Sequence, residues 1–320
     1  MAHDHHHDHD HDHDHDHGHD HGHHHHHSHD ARNAGRAFAV GIVLNLAFVL
    51  VEAVYGVLAH SMALLADAGH NLGDVLALTL AWGASTLAKR GPSERFTYGL
   101  RSLSILVALL NATLLLVVTG GIAWEAINRL ATPSPVASET VIWVALVGIV
   151  INGASAMLFA RDRGHDVNMR GAFLHLAADA AVSLGVVVAG IGILYTGWLW
   201  LDPLTGLVIA AAIVLSTWGL LRDSVALALN AVPEHIDPRV VRTYLSRLAG
   251  VTEVHDLHIW AMSTTETALT VHLVIPGGHP GDAFTADACK ELRERYHVHH
   301  STIQIETGAQ VCELAPDHVV

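Results

Sequence analysis

The chain has 320 residues, 51% of them apolar and only 15% charged, with a formal net charge of −14. That acidity argues against nucleic acid as a partner, and two cysteines, Cys289 and Cys312, exclude a disulfide framework and fit reducing surroundings for the soluble parts. Much of the charge is local: residues 1–30 hold eight Asp and no Lys or Arg, so the remainder carries −6.

The same thirty residues contain seventeen of the thirty His. A stretch of His, Asp and Gly has no core to bury and is expected to be disordered. Asp alternates with His from Asp8 to Asp20, unlike the unbroken His block of a purification tag, which favours a native metal-attracting tail. Thirty polar residues precede the first apolar run, so no secretory signal peptide is expected.

Six apolar runs follow, approximately Arg36–Leu58, Leu64–Ala88, Leu100–Ile127, Thr140–Phe159, Ala172–Tyr195 and Pro203–Leu221. Each is long enough to cross a hydrocarbon core of ~30 Å, and the third is long enough to tilt. Arg129 is the only basic residue in the loops after the first, third and fifth runs. Arg32 and Arg36 precede the first run; Lys89, Arg90, Arg95 and Arg101 follow the second; Arg161, Arg163 and Arg170 follow the fourth; Arg222 follows the sixth. The positive-inside rule then puts both termini in the cytoplasm, as an even number of spans requires. The expected division is a tail over 1–30, a six-helix membrane domain over 31–222, a linker over 223–236 and a soluble domain over 237–320.

The soluble part is expected to be a small α+β domain of order αββαβ with helices on one face of a sheet. A helix opens at Asp237–Pro238 and runs through Leu248 to Gly250. Strands follow at Val251–Met262 and Thr267–Ile275, joined by a hairpin at Ser263–Glu266. A helix at Ala283–Tyr296 and a strand at Thr302–Glu306 complete it. No solenoid-type repeat is present.

Two matching pairs carry the chemistry. In LLADAGHNLGDVLAL, His70 and Asp74 are four residues apart; in AFLHLAADAAVSLGV, so are His175 and Asp179. Residues at i and i+4 share a helix face, so each pair presents an imidazole beside a carboxylate. Two such faces turned together make a four-ligand set suited to tetrahedral Zn²⁺. A charged residue at the bilayer centre costs about 2.5–3.5 kcal/mol, so two mid-span Asp imply partners and a purpose beyond gluing helices. Asp67, one turn before His70, is read as lining an access path, relaying protons or bonding neighbouring backbone. Asn71 beside that face, Asn45 and Glu52 on one side of the first run, and Asn152 in the fourth are candidate pathway or supporting positions, with interhelical packing as the equal alternative.

SMALLADAGHNLGDVLAL, FTYGL after a basic loop, NMRGAFLHLAADAAVSLGV and VHDLHIWAMS together resemble the cation diffusion facilitators, in particular the bacterial cobalt–zinc–cadmium resistance branch and its zinc-exporting relatives. The resemblance spans about Arg36 to Glu306. It implies a homodimer of six-span subunits in the inner membrane, alternating access, and metal/proton antiport that confers metal resistance. It carries the intramembrane ligands onto His70, Asp74, His175 and Asp179. A His–Asp, His–Asp set is associated in that family with zinc, and Asp in place of the first His with wider cadmium tolerance; Co²⁺ and Cd²⁺ stay open as further substrates. On this reading deletion of residues 2–30 changes apparent affinity and leaves transport intact.

An imidazole binds metal only when neutral, so metal and proton compete for the same nitrogen and the ligands themselves supply the coupling. Neither a GxxxxGK[ST] loop nor an HExxH pair is present, and no enzyme activity or organic cofactor is expected. The rival reading is a membrane-anchored metal buffer or sensor that binds without translocating.

In the soluble domain, strand alternation sends His255 to one face and His258 to the other, and the hairpin brings His255 near His272. Glu306 and Cys312 complete a candidate second site for a regulatory Zn²⁺. The family's cytoplasmic domain resembles a metallochaperone fold that dimerises and binds metal, and His255 and His272 match its ligand positions; where some relatives have His on the last strand this chain has Gln304. Cys289 reads as helix core, and His297, His299 and His300 as solvent-facing.

Overall fold

A computed structural model describes residues 45–159 and 167–315. The His/Asp-rich tail, the beginning of the first expected span, and Arg161 and Arg163 lie outside the described residues.

The membrane part is a bundle of six helices: α1 (described over Asn45–Leu58), α2 (Met62–Ala88), α3 (Leu103–Ala131), α4 (Ser138–Phe159), α5 (Val167–Thr196) and α6 (Leu201–Ala228). By length and composition α3, α4, α5 and α6 are apolar enough to cross a membrane. Helix α2 spans 27 residues, roughly 40 Å, but carries Asp67, His70, Asn71 and Asp74 within its first half. Helix α6 outruns its expected end at Leu221 and closes only where Asn230 turns left-handed at φ 61°.

Helix α4 packs along α5 and α3 along α6, while α2 touches α3, α5 and α6. The buried centre is built from small and branched residues, among them Ala59, Ala63, Ala66, Ala145, Val141 and Val186. Small side chains let helix backbones approach where lipid offers no hydrophobic drive to associate. Gly73, between His70 and Asp74 of α2, is one such place: a Cβ there would lie 2.8 Å from Leu115 of α3. The outward side chains Trp82, Trp124, Trp143 and Trp218 are exposed, as lipid-facing groups are. Trp198 and Trp200 stack at 5.8 Å between α5 and α6, the placement of interfacial aromatics.

The far end of the bundle is pinned by a carboxylate. Asp202, in the first turn of α6, is buried and receives the Ser61 hydroxyl, the Met62 N–H at 2.6 Å and the Ala63 N–H at 3.4 Å. Ser61 in turn caps α2 by accepting from Leu64 N–H at 3.1 Å. An anion thus sits on the donors that open α2, where the helix dipole favours it. Gly206, one turn along α6, permits the approach: its Cβ would fall 2.9 Å from the Met62 carbonyl.

The C-terminal domain follows the expected order: α7 (Pro238–Ser246), β1 (Glu253–Ala261), β2 (Thr267–Val274), α8 (Asp282–Tyr296) and β3 (His300–Glu306). Asp237 caps α7 through Arg239 N–H, and the Arg239 guanidinium beside it holds its carboxyl below the usual range. Strands β1 and β2 are antiparallel, and β2 and β3 parallel, joined through α8 as a parallel pair requires. Val241, Leu245 and Leu292 from the helices pack on Val254, Ile259, Leu269, Val271 and Leu273, so the helices cover one face only. The domain meets the membrane bundle through its β1–β2 turn: Arg101 pairs with Glu266, Ser102 Oγ donates to the Met262 carbonyl at 3.1 Å, and Thr264 N–H donates to Ser104 Oγ at 3.1 Å.

Candidate functional site

Helices α2 and α5 bring the two sequence pairs together. His70 Nε2 lies 3.2 Å from Asp179 Oδ1 and 3.9 Å from Asp74 Oδ2; His175 Nε2 lies 3.4 Å from Asp74 Oδ2 and 3.7 Å from Asp179 Oδ2. The four groups form a ring in which imidazole and carboxylate alternate. A tetrahedral Zn²⁺ with ligand bonds of ~2.0–2.1 Å separates its ligand atoms by about 3.3 Å. His70, Asp74 and Asp179 offer ligand atoms within 4.8 Å of one another, while His175 reaches the two carboxylates but stands further from His70, with ring centroids 6.4 Å apart. Asp74 and His175 lie on the turn nearer the C-terminal domain and keep 33% and 50% of their side chains exposed, whereas Asp179, one turn further, keeps 5%. Accessibility therefore falls from the domain end of the bundle toward the far end.

Behind the ring, on that far side, is a fully buried polar network. Glu52 of α1 and Asp67 of α2 are both 0% exposed. Asn71 donates to Glu52 Oε2 at 3.1 Å and reaches Asp67 Oδ1 at 3.5 Å, while Ser183 of α5 donates to Asp67 Oδ2 at 2.8 Å. Of the positions expected to support the site, Asp67, Asn71 and Glu52 join this network. Asn45 Oδ1 and Asn152 Nδ2 are buried without a hydrogen-bond partner among the described residues and do not join it. Ser183 and Asp202 join the buried polar contacts without a motif in the sequence that marks them. The signal for Ser183 is its spacing, four residues after Asp179; for Asp202, an acidic residue in the first turn of an apolar helix.

The second constellation lies on the uncovered face of the C-terminal sheet. His255 faces His272 across β1–β2, and His272 faces Gln304 across β2–β3. Glu306 places Oε1 3.0 Å from His272 Nδ1 and Oε2 3.4 Å from His255 Nε2, and Cys312 Sγ comes within 3.6 Å of His272 Nδ1. All four offer ligand atoms within 4.8 Å of one another. His255 is 4% exposed, yet neither ring nitrogen makes a hydrogen bond among the described residues. An unpaired buried polar group costs about 1–3 kcal/mol, and an ion held by two imidazoles, a carboxylate and a thiolate would remove that cost. The donor set fits zinc.

The expectation that His258 points away from His255 is corrected by the register. One extra residue enters β1 between His255, opposite His272, and His258, opposite Thr270. This bulge, with Asp256 at φ 50°, reverses the alternation and returns His258 to the face of His255. There Asp256 bridges His258 Nε2 at 2.8 Å and His272 Nε2 at 3.3 Å. His297, His299 and His300 do not converge: His297 is the left-handed residue ending α8, His299 Nδ1 accepts from Thr267 N–H at 3.3 Å, and His300 packs on Tyr98. Burial pushes the Cys289 thiol up, which keeps it protonated at neutral pH, and Cys289 is not among the four residues whose ligand atoms converge. Accordingly, Co²⁺ added to the whole protein should give a thiolate-to-cobalt charge-transfer band that Cys312→Ser removes and Cys289→Ser keeps. A band surviving Cys312→Ser would take Cys312 out of the site.

Sequence profiles of known families match both parts: a cation efflux transmembrane domain over residues 38–227 and the cytoplasmic domain of cation efflux proteins over residues 233–308. The chain belongs to the cation efflux family. Relatives in this family include the cadmium, cobalt and zinc/H(+)-K(+) antiporter of Bacillus subtilis, 32% identical over 283 residues covering 86% of this chain and 89% of the relative. The metal cation efflux system protein CzcD of Cupriavidus metallidurans is 34% identical over 281 residues, covering 88% of each. The zinc transporter ZitB of Escherichia coli is 35% identical over 271 residues, covering 84% of this chain and 86% of the relative. Within this cation efflux protein the matched transmembrane region contains the whole α2–α5 ring. Cys312 lies beyond the matched cytoplasmic region.

Proposed function

We infer that this protein exports Zn²⁺ from the cytoplasm in exchange for protons, with Cd²⁺ and Co²⁺ as further substrates, and that His70, Asp74, His175 and Asp179 are its transport ligands. The observation that carries this reading is the alternating imidazole–carboxylate ring between α2 and α5. The names of relatives, an antiporter and a zinc transporter among them, support it.

Charge arithmetic supplies a coupling rule. A ring holding Zn²⁺ between two carboxylates is neutral, and so is a ring holding two imidazolium–carboxylate pairs. The empty ring carries two negative charges, which is costly away from water. Both loaded forms can therefore pass through the occluded conformation and the empty one is held back, which favours two protons for each ion and suppresses leak. Four protein ligands leave no open position for an activated water, so the reading is of a carrier and not a hydrolase.

The C-terminal domain end, with its basic loop residues, is assigned to the cytoplasm of the inner membrane, so the exposed Asp74 and His175 face the metal supply. The transport domain (31–222) pairs with that of a second copy through the dimerising domain (237–320), where His255, His272, Glu306 and Cys312 would hold a regulatory Zn²⁺. The His/Asp tail gathers metal. In proteoliposomes loaded with a pH-sensitive dye, zinc movement should drive proton movement the opposite way. Zinc binding with no zinc-dependent proton movement would instead identify a membrane-anchored buffer or sensor.

A further inference from the structure

The network behind the ring contains a group the transport chemistry does not use. Glu52 and Asp67 come from different helices, are completely buried, and share the Asn71 amide, whose Nδ2 lies 3.1 Å from Glu52 Oε2 and 3.5 Å from Asp67 Oδ1. Asn71 and Ser183 satisfy Glu52 Oε2 and both oxygens of Asp67. Glu52 Oε1 meets no N–H or O–H donor among the described residues. Two carboxylates cannot both stay ionised side by side in a dry interior, and a buried carboxyl oxygen without a donor, on a residue that shares an amide with a second carboxyl, is the place where a proton relieves the repulsion.

We propose that Glu52 and Asp67 share one proton, forming a proton-binding site apart from the four metal ligands that ties α1 to α2 and α5 behind the transport site. The proposal rests on the transport reading above for what the site does, though not for its existence. Its place in the fold gives it that task. Asp67 lies one turn from His70 on α2, and Ser183 lies one turn from Asp179 on α5, both toward the end away from the C-terminal domain. The shared proton thus closes the far side of the ring while the domain side stays accessible. Among the described residues the other titratable groups that act on Asp67 are His70 and Asp179; α4 contributes the uncharged Gly148 beside Ser183. While the pair holds its proton the tie holds; once the proton leaves, two anions face each other and the tie releases.

Glu52→Gln tests this, because an amide donates to Asp67 without needing a proton. Zinc flux of the wild type should decline on the alkaline side of its pH profile. Glu52→Gln should hold its flux there, with zinc affinity at pH 7 within about threefold of wild type, while Glu52→Ala should lose function across the profile. An alkaline limb unchanged in Glu52→Gln overturns the proposal. Infrared spectra of the wild type give a test independent of any variant's folding or transport. A buried protonated-carboxyl band at neutral pH that vanishes on alkalinisation, and is lost in Glu52→Gln or Asp67→Asn, supports the shared proton; its absence from the wild type refutes it. Wild-type zinc and proton flux, measured beside Asp179→Ala, reports separately on the transport reading, so the two failures are distinguishable.

Discussion

Asp179→Ala should abolish zinc flux, bringing proteoliposomes to the level of protein-free vesicles. Asp179 touches both imidazoles, through Oδ1 at 3.2 Å and Oδ2 at 3.7 Å, and is the most buried member of the ring. Removing it leaves three ligands and one carboxylate, so the zinc-loaded ring carries a net positive charge that must be desolvated to cross. Loss of a partner that merely orients a ligand costs 10–100-fold in metal affinity, and loss of a ligand together with its charge should exceed that. Asp179→Asn separates the two effects: it keeps the shape and one acceptor oxygen but removes the charge, and is expected to be nearly as inactive as Ala. Zinc titration of both variants, beside flux under an imposed pH gradient, is the measurement. Flux above a tenth of wild type in Asp179→Ala would remove this residue from the transport ligands.

The ring was legible in the sequence because its information is periodic. An i, i+4 His–Asp pair fixes a shared face whatever the rest of the chain does, and polar residues within apolar helices stand out against their surroundings. The αββαβ order was legible for a related reason: Gly, Pro and Asp mark its boundaries, and alternation at Leu269, Val271 and Leu273 marks its central strand. What stayed hidden depends on register and on contacts between distant segments. Nothing local in VHDLHIWA announces the bulge at Asp256, yet that one residue decides which face His258 occupies. Asp202 meets Ser61 across 141 residues of chain, and no spacing rule reaches that far. Ser183 is hidden in the sequence because an isolated hydroxyl in an apolar helix ordinarily bonds its own backbone, and only the approach of α2 gives it Asp67 instead.

Asp202→Ala should be the most destabilising single change in the membrane bundle that leaves every proposed metal ligand intact. It strands the Ser61 hydroxyl and two N–H groups that open α2, all buried, in surroundings where water cannot replace the lost acceptor. Breaking a buried charged partnership of this kind costs about 3–5 kcal/mol, whereas Ser61→Ala, which removes one donor and the helix cap, should cost about 1–2 kcal/mol. Asp202→Asn is the sharper comparison. The Met62 N–H points at Oδ2 from 2.6 Å and the Ala63 N–H at Oδ1 from 3.4 Å, so whichever way the amide turns its NH₂ faces an N–H, and only the Ser61 hydroxyl can turn to accept from it. An isosteric change should therefore recover little of the loss. Because α2 carries His70 and Asp74, loosening its first turn should also weaken zinc binding as melting approaches. Thermal unfolding of detergent-solubilised protein, followed by size exclusion, orders the variants: wild type, then Ser61→Ala, then Asp202→Asn and Asp202→Ala together at the bottom. Asp202→Asn melting with the wild type would mean that charge and acceptor count at this clasp do not hold α2 in place.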